Sequence, residues 1–191
     1  SAHLHMPLNS KKYVKEDLIN SHKSFMKNIG FVPKLFAYPY GETSLAVIEL
    51  LKELNISHAF GQHSGVISSH DNHYYLPRFS LNENFGKSDR FEFAVNSLPL
   101  RIDQLSPDDM FLKNNKRPLI ELTLIDDLKN NELNCYSNPG GNWNSQKIIE
   151  ITPYKFQIKL EDDFLSGRGK LNCTSKIDYN WHWFGYQFLV K

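Results

Sequence analysis

The stretch GFVPKLFAYPYGETSLAVIELLKEL, Gly30–Leu54, decides the fold we expect for the first half of this 191-residue chain. It starts with an apolar run that ends at Tyr38, continues through the turn residues Pro39–Gly41, and then shows apolar residues at helical spacing. A second short apolar run follows at His58–Phe60. Because a strand, a helix and a second strand follow one another, the sequence predicts parallel strands joined by a right-handed crossover.

Two loops follow the C-terminal ends of these predicted strands, which is where ligands bind in α/β units. Both loops should therefore face the same side of the sheet. In the first loop, the backbone N–H group of Tyr40 can stabilise an oxyanion. The rings of Tyr38 and Tyr40, beside Pro39 and Gly41, can stack on a sugar ring. The alternative is a tight turn in which both tyrosine rings pack in the core.

Three further residues are candidates for chemistry. His63 comes directly after the second predicted strand. Arg78 follows a short proline-bounded apolar stretch, where it either binds a carboxylate or substrate oxygen or forms a structural ion pair. His3 lies near the first residue, as a metal ligand or as an exposed side chain. The sequence contains no phosphate-binding loop, nucleophile elbow or dinucleotide fingerprint.

Composition and charge exclude some classes of partner. The net charge is +1 and no dense basic run is present, which argues against nucleic acid as the main partner. No apolar run approaches the roughly 20 residues of a membrane-spanning helix. We therefore expect no transmembrane segment. The chain starts with Ser1 rather than with methionine, which indicates a fragment or a processed product.

Strand signals dominate the sequence from Ile120 onward. About six short alternating segments, separated by turns rich in Asn, Gly, Asp and Pro, predict a small antiparallel β-sandwich. Alternation with Phe184 places Trp183 on the inside. Cys135 and Cys173 fall in these segments. They either form a disulfide, if the compartment is oxidising, or lie as reduced core residues in neighbouring strands.

Several stretches together resemble the polysaccharide deacetylases of the NodB-homology group, carbohydrate esterase family 4. Ser1–His5 is similar to the tail of that family's His-Ser/Thr-x-x-His metal motif, with His3 as the second histidine. Phe36–Glu42 is similar to its Arg-x-Pro-Tyr-Gly active-site motif, without the arginine. Three further stretches resemble a bacterial subgroup that appends a β-sandwich domain: Ala59–Gly65, Leu76–Phe79 and Trp183–Phe188.

The resemblance implies an α/β plus all-β fold. Residues 1–100 would be the incomplete C-terminal portion of a distorted (β/α) barrel, residues 101–118 a linker, and residues 119–191 an accessory antiparallel β-sandwich. The Asp-Asp motif that supplies the catalytic aspartates of the family is absent from the chain. We therefore expect a fragment whose parent carries the first half of the barrel upstream.

The resemblance also implies metal-dependent removal of N-acetyl groups from a polysaccharide that contains N-acetylated sugars. A divalent metal, usually Zn²⁺, would be held in part by His3 and would polarise the acetamide and activate water. Tyr40 would contribute its backbone N–H group to the oxyanion. His63 is the candidate general acid, because the late histidine motif of the family is not recognisable. The residues implied in substrate binding are Tyr38, Pro39, Tyr40, Gly41 and Arg78.

Two other functions stay open, and the fragment alone is expected to be inactive. The first is a non-catalytic glycan-binding module on a degenerate deacetylase fold, in which Trp143, Trp181 and Trp183 grip the glycan. The second is a structural module that caps the barrel or contacts a partner. Exposed aromatic residues in a row would favour glycan binding, whereas tryptophans packed between sheets would favour the structural role. The compartment is left open between the bacterial cell envelope, the periplasm and the cytoplasm.

Overall fold

The computed structural model describes residues 11–83, 86–128 and 132–191, with only the backbone of Lys11. Three α-helices lie in these ranges: α1 (Lys11–Ile29), α2 (Leu45–Glu53) and α3 (Ser88–Asn96). None of the described helices is long and apolar enough to cross a membrane. His3 lies outside the described residues.

The βαβ unit predicted from the opening stretch is confirmed. Strand β1 (Leu35–Ala37) pairs in parallel with β2 (His58–Phe60), and α2 connects them. Ser44 caps α2, because its side-chain oxygen accepts a hydrogen bond from the backbone N–H of Val47. A single parallel bridge between Phe60 and Leu76 is the one addition to this sheet in the described part of the chain.

Ten further strands build two larger sheets. Their bounds are β3 (Leu98–Pro99), β4 (Ile102–Ser106), β5 (Phe111–Leu112), β6 (Ile120–Leu124), β7 (Asn134–Ser137), β8 (Asn144–Ser145), β9 (Lys147–Thr152), β10 (Lys155–Lys159), β11 (Gly167–Ile177) and β12 (Asn180–Val190). One sheet is antiparallel with the order β4-β6-β10-β9. The other has the order β3-β12-β11-β7-β8, and β5 also pairs with β12. Strands β3 and β5 run parallel to β12, and the other pairs of this sheet are antiparallel.

One hydrophobic core contains buried residues of both sheets. Burial alternates along β6 and along β11, as expected for strands with one face turned to a core. Cys135 on β7 and Cys173 on β11 lie directly opposite each other, both are buried, and they form a disulfide with a Cα–Cα distance of 4.1 Å. Of the two alternatives for the cysteines, the structure has the disulfide. The two cysteines also lie in neighbouring strands, as the other alternative expects.

The prediction of a (β/α) barrel is wrong. The described residues form a β-sandwich-type fold in which the one parallel pair, β1 with β2, is not extended into a barrel. Strand β3, which follows α3, pairs with β12 in the six-stranded sheet instead of extending the parallel sheet of β1 and β2. A single βαβ unit has the same local sequence pattern in a barrel and outside one. The pattern therefore does not specify whether further parallel strands extend the sheet. Residues 101–118, predicted as a linker, contain β4 and β5, which pair within the two large sheets.

Candidate functional site

The face of the six-stranded sheet that points away from the disulfide positions the candidate site. On β11 the even-numbered residues from Arg168 to Lys176 lie opposite the odd-numbered residues of β12 from Leu189 to Trp181. The intervening residues, such as Cys173 opposite Phe184, face the core. Because side chains alternate between the two sides of a strand, these two sets lie on opposite faces. We call the first set, with its neighbours on β7, the outer face.

The loops after β1 and β2 both pack against this outer face. The side-chain amide of Gln187 donates a hydrogen bond to the backbone oxygen of Tyr40 at 3.0 Å. At Gly185 a Cβ atom would lie 1.8 Å from the backbone oxygen of Ser64, so only glycine permits this approach. At Gly41 a Cβ atom would lie 2.5 Å from the backbone nitrogen of Gln62. The two loops therefore lie together, on the same side, as the sequence predicts.

Tyr38 and Tyr40 have different environments. Tyr38 is buried, and its hydroxyl donates to the backbone oxygen of Tyr74 at 2.7 Å. Burial raises the pKa of Tyr38 far above its usual range. The ring of Tyr40 is half-exposed. Tyr40 has a φ angle of 57° and lies in the 3-10 turn Pro39–Gly41. Only Tyr40 therefore presents an aromatic ring to solvent here.

The exposed ring of Tyr40 has a cationic neighbour. The guanidinium carbon of Arg168 lies 5.6 Å from the centre of the ring, within the range of a cation–π contact. The Nε atom of Arg168 also lies 3.9 Å from a carboxylate oxygen of Glu42, a side chain that is almost completely buried. The turn predicted as one wall of a site therefore meets β11 of the sheet.

His63 lies behind the outer face in an aromatic cluster. It is 3% exposed, and its ring centre lies 4.4 Å from that of Tyr75 and 6.2 Å from that of Tyr186. Its Nδ1 atom is buried and has no hydrogen-bond partner among the described residues. Burial of the imidazole, with the positive charges of Lys170 and Arg78 adding to it, lowers the pKa of His63 to about 3. The imidazole is therefore neutral at physiological pH.

His63 also borders a cavity of about 240 Å³ between its loop and the sheets. Arg78 is exposed, and its backbone N–H donates to the backbone oxygen of His63 at 3.0 Å. The side chain of Arg78 makes no ion pair with a described residue. The structure thus brings Tyr40 and Gly41 to the outer face and leaves Tyr38 in the core. His63 lies behind this face, with the backbone of Arg78 beside it.

Two adjoining clefts cross the outer face and share Trp143. The first, which we call the aromatic cleft, has a volume of about 560 Å³ and is lined by Phe93, Asn134, Tyr136, Trp143, Asn172, Thr174, Trp181 and Trp183. The second, which we call the basic cleft, has a volume of about 550 Å³ and is lined by Asn138, Gly141, Trp143, Leu165, Ser166, Gly167, Arg168 and Lys170. All three tryptophans of the chain line the aromatic cleft.

Three of the aromatic side chains of this cleft are open to solvent. Trp143 is 48% exposed, Tyr136 46% and Trp181 39%. Trp183 is partly buried, with its ring centre 5.2 Å from that of Phe79 and 5.5 Å from that of Phe93. Its indole N–H group is buried without a hydrogen-bond partner among the described residues. Large exposed aromatic rings that lie side by side are typical of an interaction surface.

The expectation that Trp183 points to the inside is wrong. Trp183 lies opposite Thr174, on the outer face, whereas Phe184 lies opposite Cys173. The two residues do lie on opposite faces of the sheet, but Phe184 is the one that faces the core. Tyr136 was not identified as a site residue, although its place beside the buried Cys135 puts it on the opposite face. Trp143 lies just before β8, and no local pattern places it beside β11 and β12.

No three His, Cys, Asp or Glu side chains come together as a metal site in the part of the chain that the structure describes. His3, the predicted ligand of Zn²⁺, is outside that part. The metal therefore stays a prediction.

Comparisons with known proteins give only distant similarities. No protein-family model matches the sequence, and no curated protein matches it. The chain is similar to the copper resistance protein PcoC of Escherichia coli, with 13% identity, a TM-score of 0.35, and coverage of 50% of this chain and 100% of PcoC. It is similar to a DUF4785 family protein of Legionella pneumophila, with 13% identity, a TM-score of 0.33, and coverage of 47% and 27%.

A third similar structure is the endo-β-1,4-mannanase of Thermotoga petrophila, with 13% identity and a TM-score of 0.38. That match covers 96% of this chain and 44% of the mannanase. None of the three is described as a deacetylase. TM-scores this low carry no argument about activity, so the function has to be argued from the clefts.

Proposed function

We propose that this chain binds a glycan in the aromatic cleft. The observation that carries the proposal is that all three tryptophans line one cleft on one face of a sheet. Aromatic rings offer flat apolar surface to the C–H faces of a sugar, and such surface gains free energy when it is covered. Trp143 and Trp181 leave much of that surface in water. This arrangement is the one expected of the glycan-binding alternative.

Polar side chains stand between the rings of the aromatic cleft. Asn134 and Thr174 are opposite each other on β7 and β11, and Asn172 is opposite Tyr136. Binding sites for small ligands combine apolar walls with a few placed polar groups that fix the orientation of the ligand. Amide and hydroxyl groups both donate and accept hydrogen bonds, as sugar hydroxyls do.

The experiment is a calorimetric titration with two neutral probes, the hexamer of β-1,4-linked N-acetylglucosamine and cellohexaose. Trp143→Ala and Trp181→Ala are expected to weaken binding about tenfold each, since truncating an aromatic anchor costs more than about 1 kcal/mol. Tyr179→Ala is the matched control, because Tyr179 is 94% exposed and lies outside both clefts. Unchanged affinity in both tryptophan variants would show that the glycan does not bind in the aromatic cleft.

An aromatic face can also be a docking surface for protein, as in the structural alternative. That reading predicts that neither neutral probe, nor any acidic glycan, binds the chain.

Metal-dependent deacetylation by the intact parent stays a prediction from the family resemblance. It rests on His3 and on the motif similarities of Phe36–Glu42, and it is tested by acetate release from the N-acetylglucosamine hexamer with Zn²⁺. The aromatic cleft can hold a glycan whether or not that reaction takes place.

A further inference from the structure

The basic cleft adds charge to the glycan site. Arg168 and Lys170 are successive outward residues of β11, and both line this cleft. Trp143 lines both clefts, so the two cations and the aromatic platform border one continuous surface. None of the described residues that line the basic cleft is acidic.

Lys170 is the cation of this cleft with the fewest compensating contacts. Its side chain is partly buried, and no carboxylate of a described residue lies within 4.0 Å of its ammonium group. Its backbone N–H donates to the side-chain oxygen of Asn138, and no described residue accepts a hydrogen bond from its ammonium group. Burial, with the like charge of Arg168 adding to it, lowers the pKa of Lys170. A buried cation without a partner is costly, and a bound anion would offset that cost.

Arg168 does not remove this excess of positive charge. Its one described carboxylate neighbour is Glu42, at 3.9 Å, and Glu42 lies buried on the side of the Tyr-Pro-Tyr-Gly turn. Arg168 and Lys170 thus contribute two cationic groups to the lining of the basic cleft, against the one carboxylate of Glu42 beside Arg168. The exposed guanidinium also lies over the ring of Tyr40, which leaves part of its edge available to an anion.

We propose that the glycan is acidic, with a carboxylate-bearing sugar at Lys170 and Arg168 and its neighbour stacked on Trp143. This inference rests on the proposed function, because it names the class of glycan that the same groove takes. Single-stranded nucleic acid also combines stacking with negative charge. A glycan fits better, because two cations are few for a polymer with one phosphate per nucleotide and the polar lining of the aromatic cleft is amide and hydroxyl.

The test uses a hexasaccharide of unsulfated chondroitin, in which N-acetylgalactosamine alternates with glucuronate, and the methyl ester of the same molecule. Each is titrated into the wild-type chain at low and at moderate salt. The acid is expected to bind about tenfold more tightly than the ester, the size of effect that a charged hydrogen bond supplies. Salt should weaken binding of the acid and leave the ester unchanged.

Two lysine variants make the test specific. Lys170→Gln should abolish the preference for the acid over the ester. Lys159→Gln is the matched control, since Lys159 is exposed on β10 of the other sheet, and it should keep the preference. Thermal unfolding of both variants checks that the fold is retained.

The outcomes separate this inference from the proposed function. Equal affinity for acid and ester, with both dependent on Trp143, would overturn the acidic glycan and leave glycan binding intact. No binding of any sugar probe, neutral or acidic, would overturn the proposed function itself. Tighter binding of a ten-residue oligothymidylate than of the acid would overturn the inference in favour of nucleic acid.

Discussion

The side-chain amide of Gln187 donates to the backbone oxygen of Tyr40 at 3.0 Å and joins residues 147 positions apart. Gln187 is buried on β12, and Tyr40 carries the exposed ring of the turn after β1. The contact fixes the Tyr-Pro-Tyr-Gly turn to the end of the outer face that holds Lys170, which lies opposite Gln187 on β11. The Tyr-Pro-Tyr-Gly turn and the Trp183–Phe188 stretch therefore meet on the outer face.

Replacing Gln187 with leucine should destabilise the chain by about 1 kcal/mol, because the hydrogen bond that its amide donates to the Tyr40 carbonyl is lost and such a bond contributes about that much. Urea unfolding measures the loss. Gln104→Leu is the control, since Gln104 is exposed on β4, and a change within about 0.5 kcal/mol is expected there. Equal effects in the two variants would mean that the Gln187 contact does not hold the turn.

Gly185→Ala should displace the loop that contains Ser64. The new methyl group would meet the Ser64 carbonyl at 1.8 Å, a distance that no rotamer change relieves. Overpacking of this kind costs about 1–3 kcal/mol. The variant should unfold at lower urea concentration and show shifted amide signals in residues 61–65 by NMR. Ser145→Ala, at an exposed position of β8, is expected to change neither.

His63 should make the stability of the fold depend on pH below neutrality. Burial of the imidazole lowers the pKa of His63 to about 3 in the folded chain, against 6.5 for a histidine exposed to water. Between these values the unfolded chain binds the extra proton, so stability is full above pH 6.5 and falls as the pH drops. The slope contributed by this group reaches about 1.4 kcal/mol per pH unit.

Urea unfolding of wild type and His63→Gln between pH 4.5 and 7.5 measures this contribution. The variant should lose that part of the slope, and the difference between the two proteins cancels the carboxylates, which titrate in both. Parallel slopes for the two proteins would show that the imidazole takes up its proton at the same pH in the folded and the unfolded chain, contrary to its burial in the aromatic cluster.

The disulfide between Cys135 and Cys173 should support the six-stranded sheet. It closes a loop with a sequence separation of 38 residues. In the chain-entropy account, a loop of this length stabilises the folded state by about 4 kcal/mol. Cys135→Ala with Cys173→Ala should therefore lower the free energy of unfolding by several kcal/mol, as measured by urea. A loss below about 1 kcal/mol would indicate that the thiols are not joined.

Local patterns predicted the elements better than their assembly. The Leu35–Ala37 strand, the α2 helix and the alternating strands after Ile120 follow from periodicity of two or 3.6 residues. The barrel was wrong because one βαβ unit does not say which strands extend its sheet. Residues 101–118, predicted as a linker from their prolines and aspartates, contain the strands β4 and β5.

The candidate site was half visible in the sequence. Tyr40 was identified, because an aromatic residue in a turn after a strand has no structural necessity. The aromatic cleft needed long-range geometry, since Phe93, Trp143 and Trp181 come from three separate segments that only the sheet brings together. The phase of alternation on β12 was ambiguous, since Trp183 and Phe184 are both large and apolar and either one fits a core.

The most direct measurement is an NMR titration of the chain with its three tryptophan indoles labelled with ¹⁵N. The probe is the N-acetylglucosamine hexamer, followed by the chondroitin hexasaccharide in a second titration. We predict saturable shifts of the indole signals of Trp143 and Trp181 with both probes, and no shift in the presence of free N-acetylglucosamine at the same concentration, because a single ring covers too little of the cleft. Indole signals that stay unchanged with both oligosaccharides would contradict glycan binding at this face.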